Sequence, residues 1–266
     1  MLEYPLVMII NSDHQLAKYQ VVGKLSAAIL WQLWEATVEG AIPLDIDNLA
    51  QRLCQKHGVK PAFKGVGAKK NPYKWTTCIS VNDTVVHGIP TSIPLQAGDL
   101  VKVDFGLISV EGFYTDHCFT KSIGEPSAED LRLLQVARRS VQEAARLAVA
   151  GKKVGDLSHK MQFLAEQAGF STVKEFVGHG IGYTMHDEPQ IPAWGRAHQG
   201  LTLKRGQVLC VESQVIASPD DSVYMEADGW TIKANSGAKA AMFEYMVAVG
   251  EKRAIFLTPT LDWPLF

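Results

Sequence analysis

Two aspartates in one apolar segment are the first residues whose spacing indicates chemistry. Asp104 and Asp116 lie in VKVDFGLISVEGFYTDHC, residues 101–118. β-branched and aromatic residues surround them and Glu111-Gly112 supplies a turn, so the segment predicts a β-hairpin. A turn centred near residue 110 would bring the two carboxylates roughly opposite each other on one face. Such a pair is either solvated on an outer face or, if it is buried, needs a cation between its members.

Two histidines lie in a glycine-rich segment of the second half of the chain. His179 and His186 are seven residues apart in VGHGIGYTMHDEP, residues 177–189. The glycines let the backbone approach closely or adopt positive φ. A single histidine is more often a satisfied core residue than a ligand, but two histidines in such a segment favour a site.

Two glutamates stand in the middle of apolar stretches further along. Glu212 lies in QVLCVESQVIA (207–217) and Glu244 in AAMFEYMVAV (240–249). Either could be a surface acid on an alternating strand. Both neighbourhoods are nearly continuous apolar runs, however, which are typical of strands covered on both faces. A glutamate in such a strand is rarely buried without a partner.

Together, four carboxylates and one imidazole form a set of donors for metal ions. They suit two divalent ions of the Co, Mn, Fe or Zn kind, whose charge would balance the four carboxylates. A single structural zinc would need more Cys or His ligands. Two such ions about 3.5–4 Å apart can share a hydroxide and polarise a carbonyl group, which is the chemistry of metal-assisted hydrolysis.

The composition narrows the class of protein. The 266 residues are 47% hydrophobic and 20% charged, enough for one large core in one or two domains. A net charge of −2 gives no field for nucleic acid or an anionic membrane. The four cysteines, at 54, 78, 118 and 210, form no CxxC pair, which favours a reduced cytosolic protein. We expect no membrane span, because no apolar stretch reaches the roughly 18 residues that a span needs. We also expect no targeting segment, because the first residues lack a basic region and a small-residue cleavage site.

Hydrophobic periodicity predicts two similar halves in one α/β (α+β) fold. Each half begins with two helices, over 16–39 and 44–57 in the first and over 127–150 and 154–168 in the second. A lysine-containing loop over 60–75 and two short strands around Asn82-Asp83 come before the aspartate hairpin. Residues 171–200 read as loop and short strand, followed by strands at 207–217, 229–234, 241–249 and 253–257. The repeated order suggests one shared sheet with the helices outside.

Several motifs resemble those of the type I methionine aminopeptidases, which have the pita-bread (creatinase-like) fold. The resemblance covers about residues 14–258. Besides the strand that contains Glu212, the matching segments are PAFKG (61–65), CISVNDTVVHGIP (78–90), AGDLVKVDFG (97–106), GFYTD (112–116), GHGIGYTMHDEP (178–189), DGWT (228–231) and FEYMVAV (243–249).

The resemblance implies a fold and a set of functional residues. The fold is two pseudo-symmetric halves sharing a curved antiparallel sheet, in a single catalytic metallopeptidase domain of residues 1–266 with halves at about 14–125 and 126–258. The implied metal ligands are Asp104, Asp116, His179, Glu212 and Glu244, with two carboxylates, Asp116 and Glu244, bridging both ions. The implied catalytic contacts are His87, His186 and Glu212, and the implied lining of a methionine slot is Phe63, Cys78, Met185 and Trp230.

The implied activity is a metal-dependent hydrolysis. The enzyme would remove the initiator methionine from peptides and nascent proteins whose second residue is small. His87 would contact the scissile amide or the amine end of the substrate, His186 would donate to the carbonyl oxygen, and Glu212 would take a proton from the bridging water. We expect a cytoplasmic monomer that acts on nascent N-termini near the ribosome, without DNA or membrane partners.

Four departures from the family pattern concern side-chain preference or local geometry. Val66 stands where the family has Tyr, and the loop after it is longer, so that Tyr73 or Trp75 could refill the slot. Met185 replaces an aromatic residue, and Tyr245 follows Glu244 in place of His. The spacing of 12 between the aspartates, usually 11, predicts a bulge or a longer turn near residues 109–111.

Two other functions remain open on the sequence. A Xaa-Pro peptidase of the same fold usually carries a large N-terminal domain, but only about 100 residues precede Asp104. A pita-bread protein without catalysis could serve as a binding module on a ribosome or RNA. Such proteins typically lose metal ligands, whereas all five are present here.

Overall fold

The computed structural model of the protein describes residues 8–266. The expectation that no targeting segment begins the chain concerns residues 1–7 and lies partly outside this range. The four predicted helices are confirmed as α1 (Asp13–Ala36), α2 (Pro43–Lys56), α3 (Ala128–Arg146) and α4 (Val154–Gln167). Ser127 caps α3, its hydroxyl accepting a hydrogen bond from the Asp130 N–H. The prediction that α3 reaches residue 150 was wrong, because Val149 leaves the helix and bridges Gly250.

A nine-stranded antiparallel sheet forms the centre of the molecule. Its strands lie in the order β2-β4-β6-β13-β10-β8-β9, while β14 pairs with β13 and β7 pairs with β10. Their bounds are β2 (Thr77–Val81), β4 (Leu100–Phe105), β6 (His117–Ser122), β7 (Ser171–Thr172), β8 (Val177–Gly180), β9 (Asp187–Pro192), β10 (Val208–Ile216), β13 (Ala240–Ala248) and β14 (Ile255–Phe256). Neighbouring strands therefore bring together residues that are far apart in the chain.

Two smaller sheets accompany it. The strands β3 (Thr84–Val86), β12 (Ile232–Ala234) and β11 (Val223–Met225) form a three-stranded sheet, and β1 (Lys60–Pro61) pairs with β5 (Leu107–Ile108). The turn predicted at Asn82-Asp83 is confirmed, but the strands on its two sides enter different sheets. The strand predicted over 229–234 is shorter, because residues 228–230 form a turn around the Asp228 side chain.

The helices cover one face of the central sheet. α1 and α2 pack on the β4 residues Val101, Val103 and Phe105, and α3 and α4 pack on β10 and β13 through residues such as Val211 and Phe243. Each large apolar side chain buried in this way contributes about 1.5–3 kcal/mol. β10 and β13 are buried along their whole length, as their continuous apolar runs predict.

The three-stranded sheet packs against the opposite face of the central sheet. Val85 and Ile232 of the small sheet contact a cluster that includes Cys118 and Met242. This arrangement encloses the face on which the mid-strand acids lie. The two halves, residues 14–125 and 126–258, and their single catalytic domain stay a prediction. Within residues 8–266, no helix combines the length and apolarity needed to cross a membrane.

Candidate metal centre

The hairpin that carries the two aspartates has a different register from the predicted one. Asp104 on β4 pairs with Cys118 on β6, so Asp116 is offset by two residues rather than directly opposite. The loop encloses three residues between Ser109 and Phe113, with the Ser109 N–H donating to the Phe113 carbonyl at 2.8 Å. Gly112 takes the required positive φ of 87°. The predicted longer turn is thus confirmed, and a shift of two residues leaves both aspartates on one face.

A row of strand partners brings three acids into line across the sheet. Paired residues in antiparallel strands point to the same face. The partners run through β2, β4, β6, β13 and β10 as Cys78, Asp104, Cys118, Glu244 and Glu212. The row explains how carboxylates separated by more than a hundred residues meet.

The remaining predicted ligands join this row at the β8 side. His179 pairs with Cys210 of β10, and its Nε2 lies 3.8 Å from the Asp116 Oδ2. Donor atoms of four residues lie within 4.8 Å of one another, namely those of Asp116, His179, Cys210 and Glu244. Asp104 lies close enough to Asp116 for their carboxyls to share a hydrogen bond, and Glu212 lies opposite Glu244. The structure thus brings together all five predicted ligands.

Unsatisfied polar atoms in this cluster fit a divalent cation. Three carboxylate oxygens are buried without a hydrogen-bond partner: Asp104 Oδ1, Asp116 Oδ1 and Glu244 Oε1. Native proteins rarely leave such atoms unpaired. The His179 Nδ1 lies 2.8 Å from the Gly180 carbonyl, which assigns the proton to Nδ1 and leaves the Nε2 lone pair directed at the cluster. Carboxylates with one neutral imidazole form a donor set for Mn, Fe, Co or Zn.

The electrostatics of the cluster also favour a cation. Burial raises the pKa of Asp104 to about 7 and that of Glu212 to about 8. Burial and the mutual repulsion of the acids hold the pKa values of Asp116 and Glu244 well above their usual range. Burial lowers the pKa of His179 to about 4, so its imidazole is neutral at pH 7. Without metal the site therefore holds protons, and a divalent cation would replace them.

A cavity of about 450 Å³ opens onto the carboxylates. Its volume is within the usual range for small-ligand sites. All eleven predicted site residues line it: Phe63, Cys78, His87, Asp104, Asp116, His179, Met185, His186, Glu212, Trp230 and Glu244. The structure therefore gathers the whole predicted set around one space.

One end of the cavity is apolar. Phe63, Tyr73, Cys78 and Met185 are buried in one cluster, and Trp230 packs against it. Tyr73 meets the Trp230 ring edge-on at 5.0 Å between centroids, and its hydroxyl donates to the Thr77 carbonyl at 2.9 Å. Tyr73 and Val66 both line the cavity. Of the two predicted substitutes for the missing tyrosine, Tyr73 is therefore the one that lines it, while Trp75 packs against Tyr73 from outside.

The longer loop after Val66 is held against the turn that carries Trp230. The Asn71 amide donates to the Asp228 carbonyl at 3.0 Å. Gly67 has a φ of 93°, and a Cβ there would come within 2.4 Å of the Trp230 ring. Only glycine allows this approach, so the loop and the ring set the width of the apolar end together.

Two further histidines, His87 and His186, line the cavity. His87 follows β3 with a positive φ of 57° and packs edge-on against Phe176. Burial lowers the pKa of His87 to about 4. His186 lies at the mouth, its ring 4.5 Å from that of His179. Both can offer one N–H to a ligand in the cavity.

Two residues at this centre, Cys210 and Gln214, were not predicted from the sequence. The Cys210 thiol lies against the Glu244 carboxyl, and Gln214 donates to the Glu212 Oε2 at 2.5 Å. Both lie two residues from Glu212 on β10, so the strand alternation placed them on the face of the acids and could have identified them.

Comparison with known proteins identifies the family. Residues 17–251 match the model of metallopeptidase family M24. Methionine aminopeptidase 1 of Bacillus subtilis is 34% identical over 254 residues, covering 95% of this chain and 99% of the relative. The methionine aminopeptidase of Clostridium acetobutylicum is also 34% identical, over 95% of this chain and 99% of that protein.

Solved structures agree on the fold. The methionine aminopeptidase structure from Thermotoga maritima superposes with a TM-score of 0.89 at 34% identity, covering 94% of this chain and 99% of that one. A prolidase from Pyrococcus furiosus superposes with a TM-score of 0.75 at 19% identity and shares the fold alone; the chain covers 66% of it. The predicted pita-bread fold is confirmed, and the buried donors are consistent with a divalent-metal hydrolase. The chain belongs to metallopeptidase family M24 and, within it, to the methionine aminopeptidases.

Proposed function

We propose that this protein removes the N-terminal methionine from peptides and nascent chains whose second residue is small. The observation that carries the proposal is the cavity itself. It joins five convergent metal donors to an apolar end lined by aromatic, thioether and thiol side chains. A methionine side chain suits such a lining, because its sulfur makes favourable contacts with aromatic rings.

Two divalent ions of the Co, Mn, Fe or Zn kind would be held by the five donors. Asp104, Asp116, His179, Glu212 and Glu244 provide four negative charges and one neutral imidazole, and the three unpartnered carboxylate oxygens support this assignment. When bound, the ions would supply a water activated for attack and a polarised substrate carbonyl.

Glu212 is proposed as the general base. Gln214 donates to its Oε2, which fixes the carboxylate and leaves the other oxygen to accept a proton from the attacking water. Burial raises the pKa of Glu212 to about 8 in the metal-free site. Bound divalent ions would favour the deprotonated carboxylate, which could then accept a proton from the attacking water and return it to the leaving amine.

The two histidines are proposed to contact the substrate. His186, at the mouth, donates to the carbonyl oxygen on which negative charge develops. His87 contacts the scissile amide or the substrate amine. Because the pKa of His87 is lowered to about 4, its ring is neutral and adds no positive charge beside the substrate amine.

The substrate's side chain would enter the apolar end. Phe63, Cys78, Met185 and Trp230 are the proposed contacts, with Tyr73 in addition. The hydroxyl of Tyr73 is engaged by the main-chain carbonyls of Thr77 and Gly88. Its ring therefore presents an apolar edge rather than an unpaired polar group. The proposal includes a monomer in the cytoplasm that acts close to the ribosome.

Hydrolysis of three peptides tests the proposal. Met-Ala-Ser, Leu-Ala-Ser and Ala-Pro-Ser are incubated with protein loaded with Mn(II) or Co(II), with the metal content measured in parallel. Release of methionine at the highest kcat/KM is the expected result. Cleavage confined to Ala-Pro-Ser would favour a Xaa-Pro peptidase. Absence of both hydrolysis and bound metal would favour a binding protein.

A further inference from the structure

Lys102 is a buried lysine that the proposed chemistry does not use. It lies on β4, two residues before Asp104, so its side chain points to the same face of the sheet. It is 1% exposed and ranks among the largest fully buried side chains of residues 8–266. Lysines are rarely buried to this extent unless their ammonium group has a specific partner.

The partners of the ammonium are two main-chain carbonyls. The Lys102 Nζ donates to the Asn82 carbonyl and to the Ala240 carbonyl, each at 2.8 Å. Within residues 8–266 it makes no ion pair with a carboxylate within 4.0 Å. The neighbouring acids are engaged elsewhere, since Asp83 pairs with Lys233 and Asp99 accepts from the Asn82 amide. Carbonyl oxygens around an otherwise uncompensated cation are the ligand arrangement of a monovalent-ion site.

These two carbonyls belong to segments that hold the two sides of the cavity. Asn82 lies in the turn between β2 and β3, with a φ of 52°, and β3 leads directly to His87. Ala240 is the first residue of β13, and Glu244 follows it by four residues on the same face of that strand. The Ala240 N–H also donates to the Asn82 carbonyl, at 3.0 Å. The ammonium therefore joins the strand of Asp104, the strand of Glu244 and the segment of His87.

We propose that the Lys102 ammonium is a built-in cation, which occupies a carbonyl site and fixes the β2–β3 turn against β13. In this role Lys102 is a positioning residue that sets where His87 stands relative to Glu244. The site formed by the Asn82 and Ala240 carbonyls is therefore expected to prefer a small monovalent cation. If the side chain is truncated, the two carbonyls and the vacated space should accept K⁺ or NH₄⁺, as the ligand geometry requires.

Two substitutions separate this role from ordinary core packing. Lys102→Ala removes the chain and opens the space, whereas Lys102→Met fills most of it without a charge. In the Ala variant, K⁺ or NH₄⁺ should raise the thermal midpoint saturably above its value in tetramethylammonium chloride of equal ionic strength, because the methylated ion is too large. Before rescue, the midpoint should lie about 5 °C below that of the unsubstituted protein.

Lys121 provides a matched control. It is also a poorly exposed strand lysine whose ammonium donates to a main-chain carbonyl, that of Trp34 at 3.1 Å, but it stands on the helix-covered face over the Trp34 ring. Lys121→Ala should lose thermal stability without a cation-specific recovery. Neither the unsubstituted protein nor Lys102→Met should respond to K⁺ more than to tetramethylammonium.

The activity of the metal-loaded enzyme provides the second readout. Lys102→Met should retain its divalent metal and lose about tenfold or more in kcat, since small displacements of a catalytic group are costly. In Lys102→Ala, K⁺ should restore kcat over the same concentration range as the midpoint. The thermal measurement needs no substrate, so it distinguishes a failure of this inference from a failure of the proposed peptidase activity.

Two results would overturn the inference. One is a Lys102→Ala protein whose midpoint responds equally to K⁺ and tetramethylammonium. The other is a Lys102→Met protein with unchanged midpoint and kcat. If Lys102→Ala does not fold, Lys102→Met decides: a lower kcat with metal retained supports the inference, and an unchanged kcat contradicts it.

Discussion

One wall of the cavity is carried by paired strands and the other by loops. The sheet wall consists of Asp104, His179, Glu212 and Glu244, each on a strand whose neighbours fix it by main-chain pairing. The loop wall consists of Phe63, Val66, Tyr73, His186 and Trp230, which lie outside the named strands. The sheet wall holds four of the five metal donors, and the fifth, Asp116, directly precedes β6. The loop wall surrounds the space for a side chain.

The difference teaches how the two tasks are divided. Metal donors must converge within a few tenths of an ångström, and rigid strands provide that precision. A side-chain slot tolerates changes in length and residue type, as the longer loop and Tyr73 illustrate. We therefore expect substitutions in the sheet wall to abolish chemistry and those in the loop wall, apart from His186, to change substrate preference.

The largest effect is expected for a sheet-wall ligand. Asp104→Asn replaces a buried carboxylate by a neutral amide, which should weaken divalent-metal binding and lower kcat/KM at least about a thousandfold. Metal analysis and peptide hydrolysis measure the two effects. Asp130→Asn is the matched control, because Asp130 is a buried acid in the first turn of α3 that pairs with Lys239 and does not line the cavity. Full activity in Asp104→Asn would refute the ligand assignment.

The same division explains what the sequence could predict. Glu212 and Glu244 stand in long apolar runs whose type and burial follow from local pattern alone. The hairpin register was misjudged by two residues, because chain pattern fixes the face of a strand but loop geometry fixes the pairing. The end of α3 was misjudged because Val149 is drawn to Gly250, a contact a hundred residues away.

The positions of the loop-wall residues could be predicted less well from the local sequence. Tyr73 comes to line the cavity because the Asn71 amide binds the Asp228 carbonyl and Gly67 lies against the Trp230 ring. These contacts join segments more than 150 residues apart in the chain. No periodicity in residues 66–75 indicates them, so the sequence could only name Tyr73 and Trp75 as two candidates.

His186 tests whether a loop-wall residue takes part in the chemistry. His186→Ala should lower kcat about a hundredfold, the usual cost of removing a donor to a developing oxyanion, while the metal content stays unchanged. His198→Ala is the control, because His198 is an exposed residue outside this cavity. Loss of metal in His186→Ala would instead mean that His186 helps to hold the divalent ions, as the sheet-wall residues do.

The pH dependence of stability tests the charge balance of the sheet wall. The pKa values of Asp104 and Glu212 are raised to about 7 and 8, so the metal-free folded state binds more protons than the unfolded chain between about pH 4 and 8. These two groups therefore stabilise the metal-free fold less as pH rises through that window. A bound divalent ion replaces the protons and removes this loss.

The gap in thermal midpoint between Mn(II)-loaded and chelated protein should thus widen from about pH 5 to pH 8. The gap isolates the site, because ionisable groups remote from it titrate alike in both forms. At a hundredfold excess of metal over Kd, binding stabilises the fold by about 2.7 kcal/mol. The gap should be smaller in Asp104→Asn, and a gap that is constant with pH would contradict the proposed proton–metal exchange.

The smallest effect is expected where the loop wall meets the substrate's side chain. Trp230→Ala enlarges the apolar end without touching a metal donor, so the preference for Met-Ala-Ser over Leu-Ala-Ser should fall about tenfold, the order expected for a hydrophobic pocket contact. The metal content and the kcat for Met-Ala-Ser should change little. Trp31→Ala, which removes a ring stacked on Trp34 outside the cavity, is the control. An unchanged preference in Trp230→Ala would mean that the side chain enters elsewhere, whereas a lost metal would show that the two walls are not independent.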